Sequence, residues 1–410
     1  MNRRLRCHAE QIISASLGAV LPGEAVRRAL AGFRAGGKII LIAVGKAAWA
    51  MAKAASEVLE RIDSGLVITK YGHVGGEIPG VACREAGHPV PDENGFRAAG
   101  EALALVQGLS EQDAVVFLLS GGGSALFERP LLPAGELQDI TKQLLACGAD
   151  ITEINAIRKR LSGVKGGRFA LACAPARVFS VVLSDVLGDP LDVIASGPAC
   201  ADPSTCGQAL AAVRKYGLQL SPGAMKLLEV ETPKVLHNAT AQVTGSVGEL
   251  CAAAAKACGD LGYQPVLLTD RLDCEAREAG RFLAGIVRTH AGKGRPLAFL
   301  AGGETVVRLT GNGLGGRNQE LALAAAPGIA GIAGGAVFSV GSDGTDGPTD
   351  AAGGYVDGDS YAALLAAGWD VYETLRDNDA YHALRAVDGL LMTGPTGTNV
   401  NDVGVALVKG

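Results

Sequence analysis

The sequence predicts an α/β fold with parallel sheets, divided into two domains. Short apolar runs alternate with helical patterns along the 410 residues, as chains of βα units do. Glycine-rich polar stretches follow several of these runs, at the strand ends where open α/β sheets bind ligands. The length allows two separate cores.

The chain starts with a short basic stretch, MNRRLR. EQIISASLGAVLP then reads as an amphipathic helix ending at Pro22. Buried strands are expected at 38–44, 65–70, 114–119 and 177–184, each a nearly continuous apolar run. Helices are expected between them at 46–62, 94–109 and 135–148. The pattern shifts at 229–238, and a boundary near 235 gives domains 1–235 and 236–410. Beyond it come a helix (245–263), a strand (264–270), a helix (274–292), two short strands within 297–311, a helix (316–326) and a strand (336–344). Leu321 to Ser342 carries no charge, but Pro327-Gly328 and Gly334-Gly335 break it into helix, turn and strand. That argues against a membrane span.

Net charge is −5, which disfavours a nucleic-acid partner. The nine cysteines are odd in number and contain no CxxC pair, as in a reduced cytoplasmic protein. No secretory h-region with a cleavage site follows the basic start.

Seven stretches carry chemistry. After the first strand, Gly45 turns the chain and Lys46 opens a helix. A cation there opposes the helix dipole unless an anion binds beside it. SGGGSAL follows another strand; Ser120, Gly121, Gly122, Gly123 and Ser124 form a cradle of N–H and hydroxyl donors. It is neither a GxxxxGK[ST] loop nor a full GxGxxG, which weakens any nicotinamide reading. ITEINAIRKRLSGVKGGR concentrates five cations, with Asn155, Arg158 and Lys159 on one helix face. They suit a polyanion, or else form a solvated basic helix.

Asp185 directly follows a buried strand, with Asp189 and Asp192 close behind. Such carboxylates suit Mg²⁺, which takes one or two of them with phosphates and waters. Glu304 follows two glycines, and Arg317 and Asn318 start a helix after Gly315-Gly316. Arg317 is a second cation against the dipole, with a planar fork suited to carboxylate or phosphate. Asp343, Asp346 and Asp350 have metal-like spacing without the glutamate of an EF-hand; an Asx-turn loop is the alternative. Asn399, Asn401 and Asp402 precede a last strand.

Together, VGKAAWAMA, GHPVPD, LLSGGGSALFERP, INAIRKRLSGVKGGR, LSDVLGDPLDVIASGP, AGGETVVRLTGNGLGGRNQELAL, SVGSDGTDGPTDAAGG and GPTGTNVND resemble the class II glycerate kinases, once labelled hydroxypyruvate reductases. The resemblance spans nearly the whole chain. It implies a Rossmann-like, doubly wound N-terminal domain, a C-terminal α/β domain of the MOFRL type with a mixed sheet, and an active site in the cleft between them. It implies ATP-dependent phosphorylation of D-glycerate at the 2-hydroxyl, in the cytoplasm, with small-molecule partners only; a homodimer is compatible with it. Lys46 and Arg317 match positions the family treats as essential. With the charge arguments, this makes Lys46, Arg317 and Asp185 catalytic and Ser120–Ser124, Asn155, Arg158, Lys159 and Asn401 binding residues. Mg²⁺ falls to some of Asp185, Glu304 and Asp343. The alternative is an NAD(P)H-dependent hydroxypyruvate reductase.

Overall fold

The computed structural model describes residues 1–409 and contains two compact units. One is Pro22–Thr244; the other is Gly245–Gly410 together with Met1–Leu21. The expected division after residue 235 put the N-terminal helix with the first unit. Helix Arg3–Ala19 instead packs on helix Val247–Asp260, burying Leu5, Ala9, Ile12, Ile13 and Leu17. Asn2 caps it, and the Asn2 backbone N–H donates to Asp357 at 2.7 Å. An amphipathic helix goes where its apolar stripe is covered, and sequence proximity does not choose that surface.

The unit Pro22–Thr244 holds strands β1 (Ile39–Val44), β2 (Ser64–Lys70), β3 (Val81–Ala86), β4 (Ala114–Leu119), β5 (Arg177–Leu183) and β6 (Ala239–Gly245) in the order β3-β2-β1-β4-β5-β6. The pairings from β3 through β5 are parallel. Every residue of β1 and β4 is buried. Ile40, Ile42 and Val44 enter one core; Ile39, Leu41 and Ala43 enter the other. Cores on both faces are why these strands read as unbroken apolar runs. β3, at the edge, alternates in exposure and lacks such a run. The order reverses between β1 and β4, so their carboxyl ends flank the crevice of a doubly wound sheet.

The second unit holds β7 (Gln264–Leu272), β8 (Leu297–Gly303), β9 (Gly335–Gly341), β10 (Gly353–Asp357), β11 (Leu390–Leu391) and β12 (Asp402–Val408), ordered β11-β10-β9-β12-β8-β7. Only β7 and β8 pair in parallel; the other pairings are antiparallel, making a mixed sheet. β12 runs between β8 and β9, so its amino end lies beside their carboxyl ends. Glu304, Asp343 and Asp402 thereby come to one edge. The second short strand expected within 297–311 forms only an isolated bridge between Val306 and Glu275.

No helix among the described residues is long and apolar enough to cross a membrane. Leu321–Ser342 folds as helix, 3₁₀ turn and strand.

Candidate active site

Two groups of side chains, one in each unit, gather most of the residues singled out in the sequence.

In the unit Pro22–Thr244 the loops after β1 and β4 are tied together. The Lys46 N–H donates to the Gly121 carbonyl at 2.9 Å, and the Ala47 N–H to Ser120 Oγ at 3.1 Å. Gly45 has φ 122°, and a Cβ there would overlap Ser120, so only glycine suits this turn. Gly122 has φ 85° and caps the short turn Gly123–Leu126. A Cβ on Gly121 would overlap the Asp185 carboxylate; one on Gly122 would sit 3.0 Å from the His88 ring and 3.4 Å from Lys46 Cγ. Lys46, His88, the glycine loop and Asp185 thus share one place at the switch point. Lys46 is half-buried.

Burial first, and then the Lys46 charge, lowers the His88 pKa, which keeps the imidazole neutral at neutral pH. His88 lies in GHPVPD, one of the stretches that carry the family resemblance. A lone histidine in a loop gives no signal until the fold sets it over Gly122.

The polar network continues behind the loop. Ser124 Oγ lies 3.1 Å from Ser196 Oγ, which donates to Asn155 Oδ1 at 2.8 Å. Asn155 is 2% exposed, and its Nδ2 has no partner. Ala195 and Ser196 both hold positive φ, 51° and 60°. Such left-handed non-glycine residues cost on the order of 1 kcal/mol each and cluster at functional sites. Asn155 therefore reaches the cradle through Ser196.

The basic run behaves differently from either expectation. Its helix stops at Arg158, and four of the five cations turn inward. Lys159, 2% exposed, bonds Asp202 at 2.9 Å and Asp192 at 3.2 Å. Arg160 bonds Ser204 and Glu231; Lys165 bonds Glu128 at 2.7 Å; Arg168 donates to three carbonyls of the run. Lys159 is thus corrected from phosphate ligand to buried tie. The run is neither a solvated face nor a polyanion strip, because its cations have internal acids and carbonyls to satisfy. Arg158, like Arg168, is half-buried, and burial lowers its pKa against the pull of Glu128.

In the second unit Arg317 stands between two carboxylates. Its Nε and Nη2 donate to Asp402 at 2.6 and 3.1 Å, and Nη1 to Glu304 at 2.6 Å. Asn401 Nδ2 donates to the other Glu304 oxygen at 3.1 Å. Burial alone would lower the Arg317 pKa, but these carboxylates raise it. Burial pushes Asp402 up to about 6, against the pull of Arg317. One cation and two anions leave this trio at −1 when fully ionised.

Arg317 does not face the dipole of its helix with an empty N-terminus. Asp346 occupies it, accepting the N–H groups of Asn318 and Gln319 at 3.1 and 2.8 Å. A Cβ on Gly316 would overlap the Asp346 carboxyl. Burial pushes Asp346 up to about 7, although those N–H donors oppose the shift. Asp343 accepts the Thr345 N–H at 3.0 Å, an Asx turn. The turn reading of this loop therefore holds, while Asp343 still lines the adjoining cavity.

Among the described residues no three His, Cys, Asp or Glu side chains form a ready metal cage. Mg²⁺ does not require one, since phosphates and waters complete its shell. Half-exposed Glu304 and Asp343, hard oxygen donors in a net-negative cluster, fit that role.

Comparison with known proteins places this architecture. Residues 8–229 match a domain of unknown function, DUF4147, and residues 297–402 match the MOFRL family. The D-glycerate 2-kinase of Thermotoga maritima is 52% identical, covering 98% of this chain and 97% of its own. The glycerate 2-kinase of Pyrococcus horikoshii is 40% identical, over 92% and 88%. The crystal structure of the T. maritima glycerate kinase superposes with a TM-score of 0.96 over 99% of both chains at 51% identity. Such similarity, over full length and with both units represented, means that this chain belongs to the glycerate kinase family.

Proposed function

We propose that the protein is a glycerate 2-kinase: it transfers the γ-phosphoryl group of ATP to the 2-hydroxyl of D-glycerate. The observation that carries this reading is the glycine-loop cradle at the β1/β4 switch point, with half-buried Lys46 beside it, in a chain 52% identical to a D-glycerate 2-kinase.

Phosphoryl transfer needs positioning and charge neutralisation more than covalent chemistry by the protein. Glycerate is an anion, and the Gly121–Ser124 N–H and hydroxyl groups with Lys46 suit its carboxylate or the transferred phosphoryl. Arg158 adds a cation at the end of its helix, and Asn155 steadies the cradle through Ser196. Asp185, against Gly121, supplies the carboxylate, either to Mg²⁺ or to the proton of the attacking hydroxyl. Mg²⁺ held by Glu304 and Asp343 would neutralise phosphate charge. Arg317 holds Glu304 and Asp402 in place and keeps spare N–H donors for a phosphate oxygen. In this proposal Lys46 and Arg317 serve one transfer, a cation from each unit, and Asn401 orients Glu304. Nine cysteines without a disulfide accord with a cytoplasmic setting.

The test is ³¹P NMR of the product from D-glycerate, ATP and Mg²⁺. Accumulation of 2-phosphoglycerate supports the reading. The 3-phosphate, or NADH oxidation by hydroxypyruvate without ATP turnover, refutes it.

A further inference from the structure

The unit that carries Arg317 also contains a cavity of about 680 Å³, lined by Thr305, Val306, Leu309, Glu320 and Asp343 among others, with Arg317 in its wall. Its volume lies in the range of drug-sized ligands. A three-carbon acid would leave most of it empty. Its lining is also wrong for such an acid. Val306 and Leu309 are 54% and 81% exposed, aliphatic surface that an all-polar triose acid cannot use. Glu320 is a buried carboxylate held by Arg277 at 3.0 Å and Asn378 at 3.3 Å, which would repel an acid at close range. Thr305 is 4% exposed, yet its hydroxyl has no hydrogen-bond partner. A buried hydroxyl without a partner is costly, and a ligand's polar group can relieve that cost.

The lining is therefore graded. Aliphatic side chains, a neutral hydroxyl and a fixed acceptor occupy one part, and a cation with an acidic metal-type ligand occupies another. A nucleoside triphosphate has the same gradation: a flat apolar base, a ribose rich in hydroxyl donors, then phosphates with their Mg²⁺. We propose that this cavity is the nucleotide site. The purine face lies on Val306 and Leu309, the ribose hydroxyls meet Thr305 and Glu320, and the phosphates run toward Arg317 and Asp343. This deepens the kinase reading and rests on it: the donor is bound within the unit Gly245–Gly410, and the Gly121–Ser124 cradle is left for the acceptor.

Two measurements on the full-length protein test the assignment. The first is calorimetric titration with AMP-PNP and Mg²⁺, without glycerate. The second is steady-state kinetics in both substrates. Leu309→Asp and Val306→Asp alter exposed side chains, so folding is spared, and Thr305→Val removes the hydroxyl while keeping the shape. Each aspartate should weaken AMP-PNP about tenfold or more and raise KM for ATP in parallel, with KM for glycerate within about twofold. Thr305→Val should give a smaller loss in the same direction. Unchanged AMP-PNP affinity in both aspartate variants overturns the proposal, as does a raised KM for glycerate at constant KM for ATP. If AMP-PNP binds, the variants weaken it, and glycerate is not phosphorylated, the nucleotide site stands and the glycerate reading fails.

Discussion

Lys46 and Arg317 begin from the same sequence argument, a cation at a helix start after glycine, and end in different electrostatic settings. Lys46 stands at the glycine loop that also touches Asp185, and its backbone N–H donates to the Gly121 carbonyl at 2.9 Å. Arg317 is bracketed by Glu304 and Asp402, and Asp346 fills the helix N-terminus behind it. The first place sets one cation and the Asp185 carboxylate around a glycine loop whose amides suit an anion. The second is net negative, and suits an anion that brings its own cation. A misplaced cation therefore identifies a site but not its polarity, because the neutralising carboxylates come from distant strands.

The sharpest way to break this contrast is to remove each cation. Lys46→Ala should lower kcat by ~10²–10³, with circular dichroism and melting temperature near wild type, since its side chain is only half-buried. Near-normal turnover would remove Lys46 from the mechanism. Arg317→Ala should also abolish most activity. Unlike Lys46→Ala it should destabilise the protein by about 3 kcal/mol or more in urea unfolding, because it strands the buried Asp402. Equal stability of the two variants would erase the distinction drawn here.

Lys159→Met sharpens the comparison from within the first unit. Loss of this tie should destabilise by about 3 kcal/mol, because buried Asp202 loses its close cation and keeps only Arg160 at 3.9 Å. KM for either substrate should stay within about threefold in protein that remains folded at low temperature. A tenfold rise in KM with unchanged stability would restore Lys159 as a ligand.

The smallest expected effect is a pH slope. Asp346, pushed up to about 7, and Asp402, up to about 6, both sit above their unfolded value of 3.8. Groups raised in this way favour the folded state below the unfolded pKa, and that contribution is lost as pH rises through the folded value. The C-terminal unit should therefore lose stability between pH 4 and 7, by at most ~1.4 kcal/mol per pH unit for each group. Asp346→Asn should flatten the slope. An unaltered slope would show that Asp346 is ionised throughout.

The apolar runs of β1 and β4, the glycine turns and the ordered set of motifs determined the fold class, the family and the tight turn after β4 by themselves. Each depends on local chain chemistry: burial on both faces writes an unbroken apolar run, and a positive φ writes glycine. The basic run Arg158–Arg168 was legible only as charge, because its inward turn depends on Asp192, Asp202, Glu231 and Glu128. His88, Ser196 and Thr305 became visible as site residues only once folding placed them. The N-terminal helix likewise joined the second unit because Val247–Asp260 offered the matching surface. Whether a charge is free or paired is a long-range property, and tertiary structure alone decides it.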